Sequence, residues 1–213
     1  MKQTLSIVKI GGKVIENNAE LSTFLQFFSE LKGAKILVHG GGKLATELGK
    51  KLGVEAQLVN GRRVTDAQSL EIITMVYGGL ANKNIVAQLQ AQHCNAIGLS
   101  GADANTIKAH KRPVGEIDFG FVGDVDSVNA KNIESLLQGG FTPVFCAITH
   151  DGKGQLYNTN ADTIASEIAI GMSELYTTTL FYCFEKKGVL LDISDEDSLI
   201  KNIDPNSYQE LLQ

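Results

Sequence analysis

The chain has 213 residues, of which 43% are hydrophobic and 20% charged, and its formal net charge at pH 7 is −5. Disorder would require fewer apolar residues and a larger net charge, so the composition predicts a globular protein of one large domain or two small ones. Nucleic-acid binding requires a concentrated positive face, which this acidic sequence lacks. No apolar segment approaches the ~20 residues that cross a bilayer.

The three cysteines bear on the location of the protein. Cys94, Cys146 and Cys183 are odd in number, widely separated and set in apolar surroundings. Their spacing matches no zinc site, and the four histidines show no metal spacing either, so no metal-binding residue is predicted. Buried, reduced thiols are typical of cytoplasmic proteins. The sequence therefore predicts a cytoplasmic protein.

Short apolar runs alternate with amphipathic stretches from the start of the chain. Residues 4–10 and 35–39 are predicted as strands, and residues 20–31 and 43–52 as helices. Runs rich in Ile and Val that are separated by helical periods are typical of a parallel sheet with helices on both faces. The predicted fold is therefore α/β, a three-layer αβα sandwich around a mainly parallel, open sheet.

A hairpin signal interrupts this alternation at residues 58–64. Asn60-Gly61 stands between two short apolar or β-prone pairs, the second of which is Arg62-Arg63. A hairpin inserted after the second βα unit can reach over the edge of the sheet. We therefore expect a hairpin lid over a site at that edge.

The rest of the chain resumes the alternation, with one irregular excursion. Residues 107–126 contain turn signals at Pro113 and Gly120 and are predicted to be irregular or antiparallel. The other predicted elements are helices at 66–76, 80–92, 130–137, 161–170 and 207–212, and strands at 96–99, 142–147 and 178–184.

Two glycine segments stand where strands are predicted to end. Lys9 precedes Gly11 and Gly12, and His39 precedes Gly40-Gly41-Gly42 at the start of a helix. Ligands of open α/β sheets bind at the carboxyl edge of the strands, and glycines let backbone N–H groups approach an anion closely. The pattern indicates a phosphoryl site. An ordinary glycine turn stays open for the first segment, and neither segment matches the Walker A loop.

A His-Gly-Gly-Gly run also forms the oxyanion hole of esterases. Such a hydrolase requires a G-x-S-x-G elbow. The nearest candidate, Gly98-Leu99-Ser100-Gly101-Ala102, lacks the final glycine. The esterase interpretation fails at that residue.

Polar residues with candidate roles occur in residues 158–162 and in the hairpin. Asn160 is a natural N-cap of the following helix, whereas Asp162 in its first turn could pair with Lys9 and hold it in place. Asn158 can donate to a substrate carboxylate. Arg63 on the hairpin is a candidate bidentate clamp for a carboxylate, while for Arg62 a solvated charge is as good an explanation.

These segments, taken in order, resemble the amino-acid kinase family, and within it the acetylglutamate kinases of arginine biosynthesis. The resemblance runs from residue 4 to about residue 192 and rests on residues 8–12, 39–42, 60–66 and 158–162. Aspartate kinases, glutamate 5-kinases and uridylate kinases share the lysine–glycine start. They are not expected to carry both of the last two segments.

The resemblance implies substrates and roles. ATP would be the co-substrate, bound with Mg²⁺, and an N-acylated glutamate would accept the phosphoryl group. Lys9 would stabilise the transferring phosphoryl group, Asp162 would organise the catalytic lysines, and Arg63 with Asn158 would hold the α-carboxylate. The implied backbone donors are Gly11, Gly12, Gly40, Gly41 and Gly42, with Gly41 and Gly42 also touching the acylglutamate.

Two departures from the family pattern concern the nucleotide. No Gly-Met-x-x-Lys segment with a second catalytic lysine precedes Gln213. We therefore expect residues 1–175 to form the acylglutamate-binding and dimerisation lobe, residues 176–213 to begin an incomplete nucleotide lobe, and this form to be nearly inactive. Glu185 stands at the position of a family aspartate, and Lys187 with Gly188 is predicted to approach phosphates. A binding or sensor protein that has lost phosphoryl transfer is the alternative.

The acyl group and the assembly remain open at this level. The substrate could be N-acetyl-L-glutamate or N-succinyl-L-glutamate, and we expect the acyl group to be read by the hairpin and residues 76–80. The resemblance implies a homodimer, whose interface would involve the helices at 66–76 and 80–92. The apolar positions of those helices, which ordinary core packing would also explain, are Ile72, Ile73, Val76, Ile85, Val86 and Leu89.

Overall fold

A computed structural model describes residues 2–184 and 186–211. The chain divides into two compact units, Met1–Cys183 and Phe184–Gln213. Within the described residues, no helix is both long enough and apolar enough to cross a membrane.

The centre of the first unit is a five-stranded parallel sheet. Its strands are β1 (Thr4–Ile10), β2 (Ala34–His39), β5 (Ala96–Leu99), β8 (Thr142–Cys146) and β11 (Thr177–Cys183). They lie in the order β11-β1-β2-β8-β5, and each neighbouring pair is parallel. The predicted α/β class and parallel sheet are confirmed, and each of these five predicted strands agrees with the observed one to within one residue at either end.

Half of the helices named below begin at polar caps that the sequence supplies. Side-chain oxygens of Asn17, Asp66, Asn129 and Asn160 accept backbone N–H bonds at the starts of four of them. The helices are α1 (Gly12–Glu16), α2 (Asn18–Glu30), α3 (Gly42–Lys51), α4 (Ala67–Ile73), α5 (Asn82–Ala91), α6 (Ala130–Gln138), α7 (Ala161–Met172) and, in the second unit, α8 (Pro205–Leu211).

Helices cover both faces of the sheet. Along β1, Leu5 and Ile7 enter one apolar cluster, which includes the inner face of α7, and Val8 and Ile10 enter another, which includes α2 and α5. Successive side chains of a strand point to opposite faces, so one strand contributes to both cores. The result is the predicted three-layer arrangement.

The segment between the hairpin and β5 is one continuous run of helix. α4 passes into a π-helix at Thr74–Ala81, which leads directly into α5. The sequence predicted a break between residues 76 and 80, and this was wrong. Gly78 and Gly79 weaken a helix by propensity, but Val76, Tyr77 and Ala81 around them are buried and hold the backbone helical.

The first unit also contains a second sheet, of four strands. It contains β6 (Ile107–Lys111), β7 (Gly123–Val128), β9 (Ile148–His150) and β10 (Leu156–Asn158), in the order β10-β9-β6-β7. β6 and β7 pair antiparallel. Residues 107–126 were predicted to be either irregular or antiparallel, and the second alternative applies to these strands. The sequence did not predict β9 and β10, because strands of three residues are too short for a periodic signal.

The predicted hairpin is present. β3 (Leu58–Val59) pairs antiparallel with β4 (Arg62–Arg63). Asn60 and Gly61 both have positive φ, at 49° and 74°, as the commonest two-residue hairpin turn requires.

The second unit carries α8, which begins two residues before the predicted helix at 207–212; Leu212 lies outside the described residues. An isolated antiparallel bridge joins Leu190 and Leu199 within the same unit.

Candidate active site

A cavity of about 700 Å³ lies where β2 ends and α7 begins, within the size range of small-molecule sites. The glycine loop, the hairpin, the π-helix and the β6–β7 excursion all contribute to its wall. The lining residues are 40–43, Thr46, Leu58, 61–63, Tyr77, Arg112, Phe119, Val122, Ala147 and 158–163.

The loop Gly40-Gly41-Gly42 packs against the ring of Tyr77. A Cβ atom on Gly41 would lie 2.9 Å from Tyr77 Cδ1, and one on Gly42 would lie 3.7 Å from the Tyr77 hydroxyl oxygen. A side chain at Gly41 would therefore overlap the ring. Tyr77 lies on the π-helix, a conformation that is frequent at functional sites. Burial raises the pKa of Tyr77, and nearby Arg63 acts in the opposite direction.

The residue before this loop, His39, is fully buried. Its Nδ1 lies 2.7 Å from Gly40 O, and its Nε2 lies 3.0 Å from Asn82 Nδ2. Burial lowers the pKa of His39 to about 4, so the imidazole is neutral at pH 7. The sequence treated His39 only as part of the glycine motif.

Lys9 and Asp162 meet beside the cavity. Lys9 Nζ lies 2.8 Å from Asp162 Oδ1, and the side chain of Lys9 is 14% exposed while that of Asp162 is 52% exposed. Asn160 Oδ1 accepts the backbone N–H groups of Asp162 at 2.7 Å and Thr163 at 3.1 Å, which caps α7. The cap fixes the first turn of α7, and that turn carries the carboxylate to Lys9.

Arg63 joins the hairpin to the start of α3. Its Nη2 donates to Gly42 O at 2.9 Å and to Thr46 Oγ1 at 2.6 Å. A guanidinium has five N–H donors in a planar fork, so bonds from one nitrogen leave donors for a carboxylate in the cavity. Asn158 lies in the same wall, and its Nδ2 donates to Thr65 Oγ1 at 3.0 Å.

The base of the hairpin is tied to the excursion between β6 and β7. Thr65 N donates to Phe119 O at 2.9 Å, and Phe121 N donates to Thr65 O at 2.7 Å. Gly120 has a φ of 71°, and a Cβ there would lie 2.2 Å from Thr65 O. Only glycine fits this close approach, so Gly120 is required for the hairpin to rest where it does.

Arg112 brings a further cation to the cavity wall. Its Nε and Nη2 donate to the carboxylate of Asp124, at 3.1 Å and 2.6 Å, and its Cζ lies 5.7 Å from the centre of the Phe119 ring. Hydrogen bonding from Arg112 lowers the pKa of Asp124. This bidentate pair holds the guanidinium in a fixed plane.

The first glycine pair is placed differently. Gly11 and Gly12, both within the described range, lie outside the lining of the 700 Å³ cavity. Gly11 N donates to Cys183 O at 3.3 Å, and a Cβ on Gly11 would lie 3.9 Å from Lys9 Nζ. The structure therefore places Gly11 beside Lys9 but does not bring it into the same wall as the second glycine loop.

The predicted phosphate contacts Lys187 and Gly188 lie in the second unit. Lys187 Nζ is 3.8 Å from Glu196 Oε2, and a Cβ on Gly188 would lie 2.7 Å from Leu199 Cδ1. Glu185 lies outside the described residues. A role of Lys187 and Gly188 toward a nucleotide stays a prediction.

The wall residues that were not singled out from the sequence include Tyr77, Arg112 and Phe119. Tyr77 falls in residues 76–80, which we expected to read the acyl group, but nothing marked it within that stretch. Arg112 and Phe119 belong to the excursion at 107–126, whose path depends on contacts with Thr65, far away in the chain. No pattern in the neighbouring sequence could have predicted that these residues lie in the cavity wall.

Comparison with known proteins establishes the family of the chain. The model of the amino acid kinase family matches residues 4–213, and the chain belongs to that family. A protein of Phocaeicola vulgatus named acetylglutamate kinase is 55% identical over 212 residues, which cover 100% of this chain and 82% of the relative. A protein of the same name from Cytophaga hutchinsonii is 57% identical, over 98% of this chain and 80% of the relative. Another acetylglutamate kinase, from Methanopyrus kandleri, is 37% identical, over 97% of this chain and 82% of the relative.

Solved structures share the fold. N-acetylglutamate synthase from Neisseria gonorrhoeae, in complex with coenzyme A and N-acetyl-glutamate, superimposes with a TM-score of 0.73 at 21% identity, over 89% of this chain and 43% of that one. An isopentenyl phosphate kinase gives a TM-score of 0.59 at 14% identity, over 97% of this chain and 83% of that one. At such identities the likeness establishes the fold alone.

Proposed function

We propose that this protein catalyses the ATP-dependent phosphorylation of the γ-carboxylate of N-acetyl-L-glutamate, a step of arginine biosynthesis. One observation carries the proposal: Arg63 and Asn158, which suit a carboxylate, share a cavity with the glycine loop and with Asp162, the partner of Lys9. In this proposal the side of the cavity with Arg63 and Asn158 binds a carboxylate, and the side with the glycine loop binds the phosphoryl group. The relatives named acetylglutamate kinase, which cover nearly the whole chain, support it.

The chemistry requires no covalent enzyme intermediate. An oxygen of the γ-carboxylate attacks the γ-phosphorus of MgATP in line, the new O–P bond forms, and the bond to the β,γ-bridging oxygen breaks, with its electron pair leaving on ADP. The carboxylate is already ionised at neutral pH, so no proton has to be removed. Catalysis then consists of positioning and charge stabilisation.

Each site residue has a role in this scheme. Lys9 Nζ stabilises the charge on the transferring phosphoryl group, and Asp162 orients Lys9 from the capped turn of α7. Arg63 and Asn158 hold the α-carboxylate. Backbone N–H groups of Gly12, Gly40, Gly41 and Gly42 would donate to phosphoryl oxygens, where a preorganised donor stabilises the transition state most. The N–H of Gly11, which donates to Cys183 O at 3.3 Å, would have to leave that partner to do the same.

The nucleotide side of the proposal rests on the resemblance. We assign residues 1–175 to acylglutamate binding and dimerisation and residues 176–213 to the nucleotide, with Lys187 and Gly188 near its phosphates. Mg²⁺ enters with ATP as part of the substrate. Across residues 2–184 and 186–211, no three His, Cys, Asp or Glu side chains cluster as a metal site.

N-succinyl-L-glutamate is a second candidate substrate. Arg62 and Arg112 line the cavity in addition to Arg63, and a succinyl group would bring a third carboxylate. Asp124 already neutralises Arg112, so Arg62 is the cation that would recognise the additional charge.

The substrates are separated by titration calorimetry with N-acetyl-, N-succinyl- and free L-glutamate, together with hydroxylamine trapping of the acyl phosphate in the presence of MgATP. We expect N-acetyl-L-glutamate to bind and to yield the hydroxamate. If succinylglutamate is the substrate, Arg62→Gln weakens its binding and leaves acetylglutamate binding unchanged. Preference for free glutamate would contradict both candidates.

The alternative of a sensor that has lost phosphoryl transfer is not favoured. The relatives at more than 50% identity are named as kinases, and the Lys9–Asp162 pair is formed. Trapped acyl phosphate would exclude the sensor directly.

We also infer a cytoplasmic homodimer. Cys94 and Cys146 are buried free thiols, which supports a reducing compartment. Of the apolar residues named for the interface, all but Val86 are core residues, whereas Met75 and Leu80 of the same segment are 52% and 53% exposed. Sedimentation should give a dimer that Leu80→Glu dissociates; a monomeric wild-type protein would contradict the inference.

A further inference from the structure

A buried polar network, which does not line the cavity, contacts the glycine loop. His39, at the end of β2, is 0% exposed, and Asn82, at the start of α5, is 1% exposed. Asn82 Nδ2 lies 3.0 Å from His39 Nε2 and donates to Val144 O at 2.9 Å. His39 Nδ1 lies 2.7 Å from Gly40 O.

These contacts specify one tautomer of His39. The carbonyl oxygen of Gly40 can only accept, so Nδ1 must carry the proton. Asn82 Nδ2 can only donate, so Nε2 must be the bare nitrogen. The amide orientation of Asn82 is settled by its other contacts, since Nδ2 reaches a carbonyl and Oδ1 accepts from Lys83 Nζ at 3.1 Å. Burial keeps the ring neutral.

The network also constrains β5. A Cβ atom on Gly98 would lie 1.8 Å from Asn82 Oδ1 and 2.8 Å from Lys83 Nζ. Three adjacent strands are therefore adapted to Asn82. β8 contributes the Val144 carbonyl, β2 contributes His39, and β5 has no side chain at Gly98. Such an arrangement exceeds what filling a buried position would need, because an apolar pair would fill it without desolvating polar groups.

The bond to Gly40 O has a geometric consequence for the next residue. The carbonyl of Gly40 and the N–H of Gly41 belong to one planar trans peptide unit, in which the two groups point in opposite directions. The hydrogen bond from His39 Nδ1 directs the carbonyl of Gly40 toward this buried side chain. The N–H of Gly41 is thereby directed away from His39, and Gly41 is one of the residues that line the cavity.

We propose that His39 is a positioning residue: its neutral imidazole, held by Asn82, orients the Gly40–Gly41 peptide so that the Gly41 N–H faces the anionic group bound in the cavity. The identity of that anion, an acylglutamate or a phosphoryl group, rests on the proposed function. The orientation itself does not, because it follows from contacts within the protein.

The test compares two substitutions of His39, by asparagine and by glutamine, which place the side-chain nitrogen at different positions. In His39→Asn the side-chain nitrogen stands about where Nδ1 was and can still donate to Gly40 O, whereas in His39→Gln it stands about where Nε2 was and cannot. We expect acetylglutamate affinity to stay within about 3-fold in His39→Asn and to fall at least ~10-fold in His39→Gln, the effect of one lost hydrogen bond to a charged ligand. If His39 only fills space, glutamine, which is closer in volume, would do at least as well as asparagine.

A measurement on the wild-type chain covers the case in which the variants do not fold. Nitrogen-15 correlation spectra at neutral pH should show His39 protonated on Nδ1 and bare on Nε2. The opposite tautomer overturns the proposal, as does equal affinity in the two folded variants. If acetylglutamate does not bind the wild-type protein, the proposed function fails. The positioning role of His39 is then still decided by two spectra: the tautomer of His39 in the wild type, and the Gly41 amide resonance. That resonance should be displaced in His39→Gln but not in His39→Asn.

Discussion

The two glycine loops look alike in the sequence but are built differently. Gly11-Gly12 follows β1 and Gly40-Gly41-Gly42 follows β2, and both were predicted to hold a phosphoryl group. A Cβ on Gly11 would meet only ordinary contacts, at 3.8 and 3.9 Å. A Cβ on Gly41 would overlap Tyr77 at 2.9 Å, and Gly40 is held by the buried His39.

The difference shows where the rigidity of such a loop comes from. Glycine supplies freedom, and neighbours must remove it before a backbone N–H can be a preorganised donor. The second loop is confined by the π-helix through Tyr77 and by α5 through Asn82. The first loop is held by other contacts: Gly11 N donates to Cys183 O at 3.3 Å, and Lys9 beside it pairs with Asp162. An ion pair between Lys43 Nζ and Glu16 Oε2, at 2.7 Å, joins the helices that follow the two loops.

The largest expected effect concerns pH and the second loop. The pKa of His39 is lowered from 6.5 to about 4 in the folded chain. Between these values the unfolded chain binds more protons, so the free energy of unfolding falls as pH falls through this window, by about 3 kcal/mol in full. Urea unfolding measured from about pH 7.5 to about pH 4.5 reports this loss.

The control for this effect is His39→Asn, which should show a flatter dependence across the same window. Asp66 and Asp124 have pKa values below their ordinary 3.8, so their contributions are lost only at lower pH. An unchanged slope in His39→Asn would contradict the buried neutral histidine.

The next effect comes from adding a methyl group to each loop. Gly41→Ala forces the loop or Tyr77 to move, and overpacking of this kind costs about 1–3 kcal/mol in unfolding free energy. Acetylglutamate affinity should fall at least ~10-fold. The matched variant Gly11→Ala should change the unfolding free energy by less than about 0.5 kcal/mol and leave acetylglutamate affinity unchanged. Similar losses in both variants would remove the distinction between the loops.

A smaller effect is expected at Arg63, the hairpin arginine that donates to the second loop. Arg63→Lys keeps the charge but loses the planar fork that reaches Gly42 and Thr46. Acetylglutamate binding measured by calorimetry should weaken by about 1–2 kcal/mol. Arg62→Lys, one residue away on the same hairpin, is the comparison and should bind acetylglutamate as the wild type does.

The smallest effect on stability is expected at the first loop. Asp162→Asn removes the charge partner of Lys9, but Asp162 is 52% exposed, and ion pairs so open to solvent contribute less than about 1 kcal/mol. Thermal unfolding at low and high salt should show a small, salt-sensitive loss. A loss as large as that of Gly41→Ala would mean that the ion pair, too, is a rigid support of its loop.

Local patterns were sufficient for most of the elements. The parallel strands were predictable because each is a short run rich in apolar or β-branched residues, largely buried in β1, β2, β5 and β8 although not in the edge strand β11. The hairpin was predictable because Asn60-Gly61 suits its positive φ values. The caps at Asp66 and Asn160 are equally local. The continuous helix through Gly78-Gly79 and the short strands β9 and β10 were not predictable, because burial overrides propensity in the first case and three residues carry no period in the second.

For the candidate site, the sequence by itself determined the parallel sheet, the glycine loops at its edge, and the lysine, arginine and carboxylate types that suit phosphoryl and carboxylate groups. Those features depend on residue type and short spacing. Only the tertiary structure decided that Tyr77, Arg112 and Phe119 complete the cavity, that His39 and Asn82 hold the second loop, and that the first loop lies apart from the cavity wall. These are contacts between residues distant in the chain, which are set by how helices and excursions pack against the sheet.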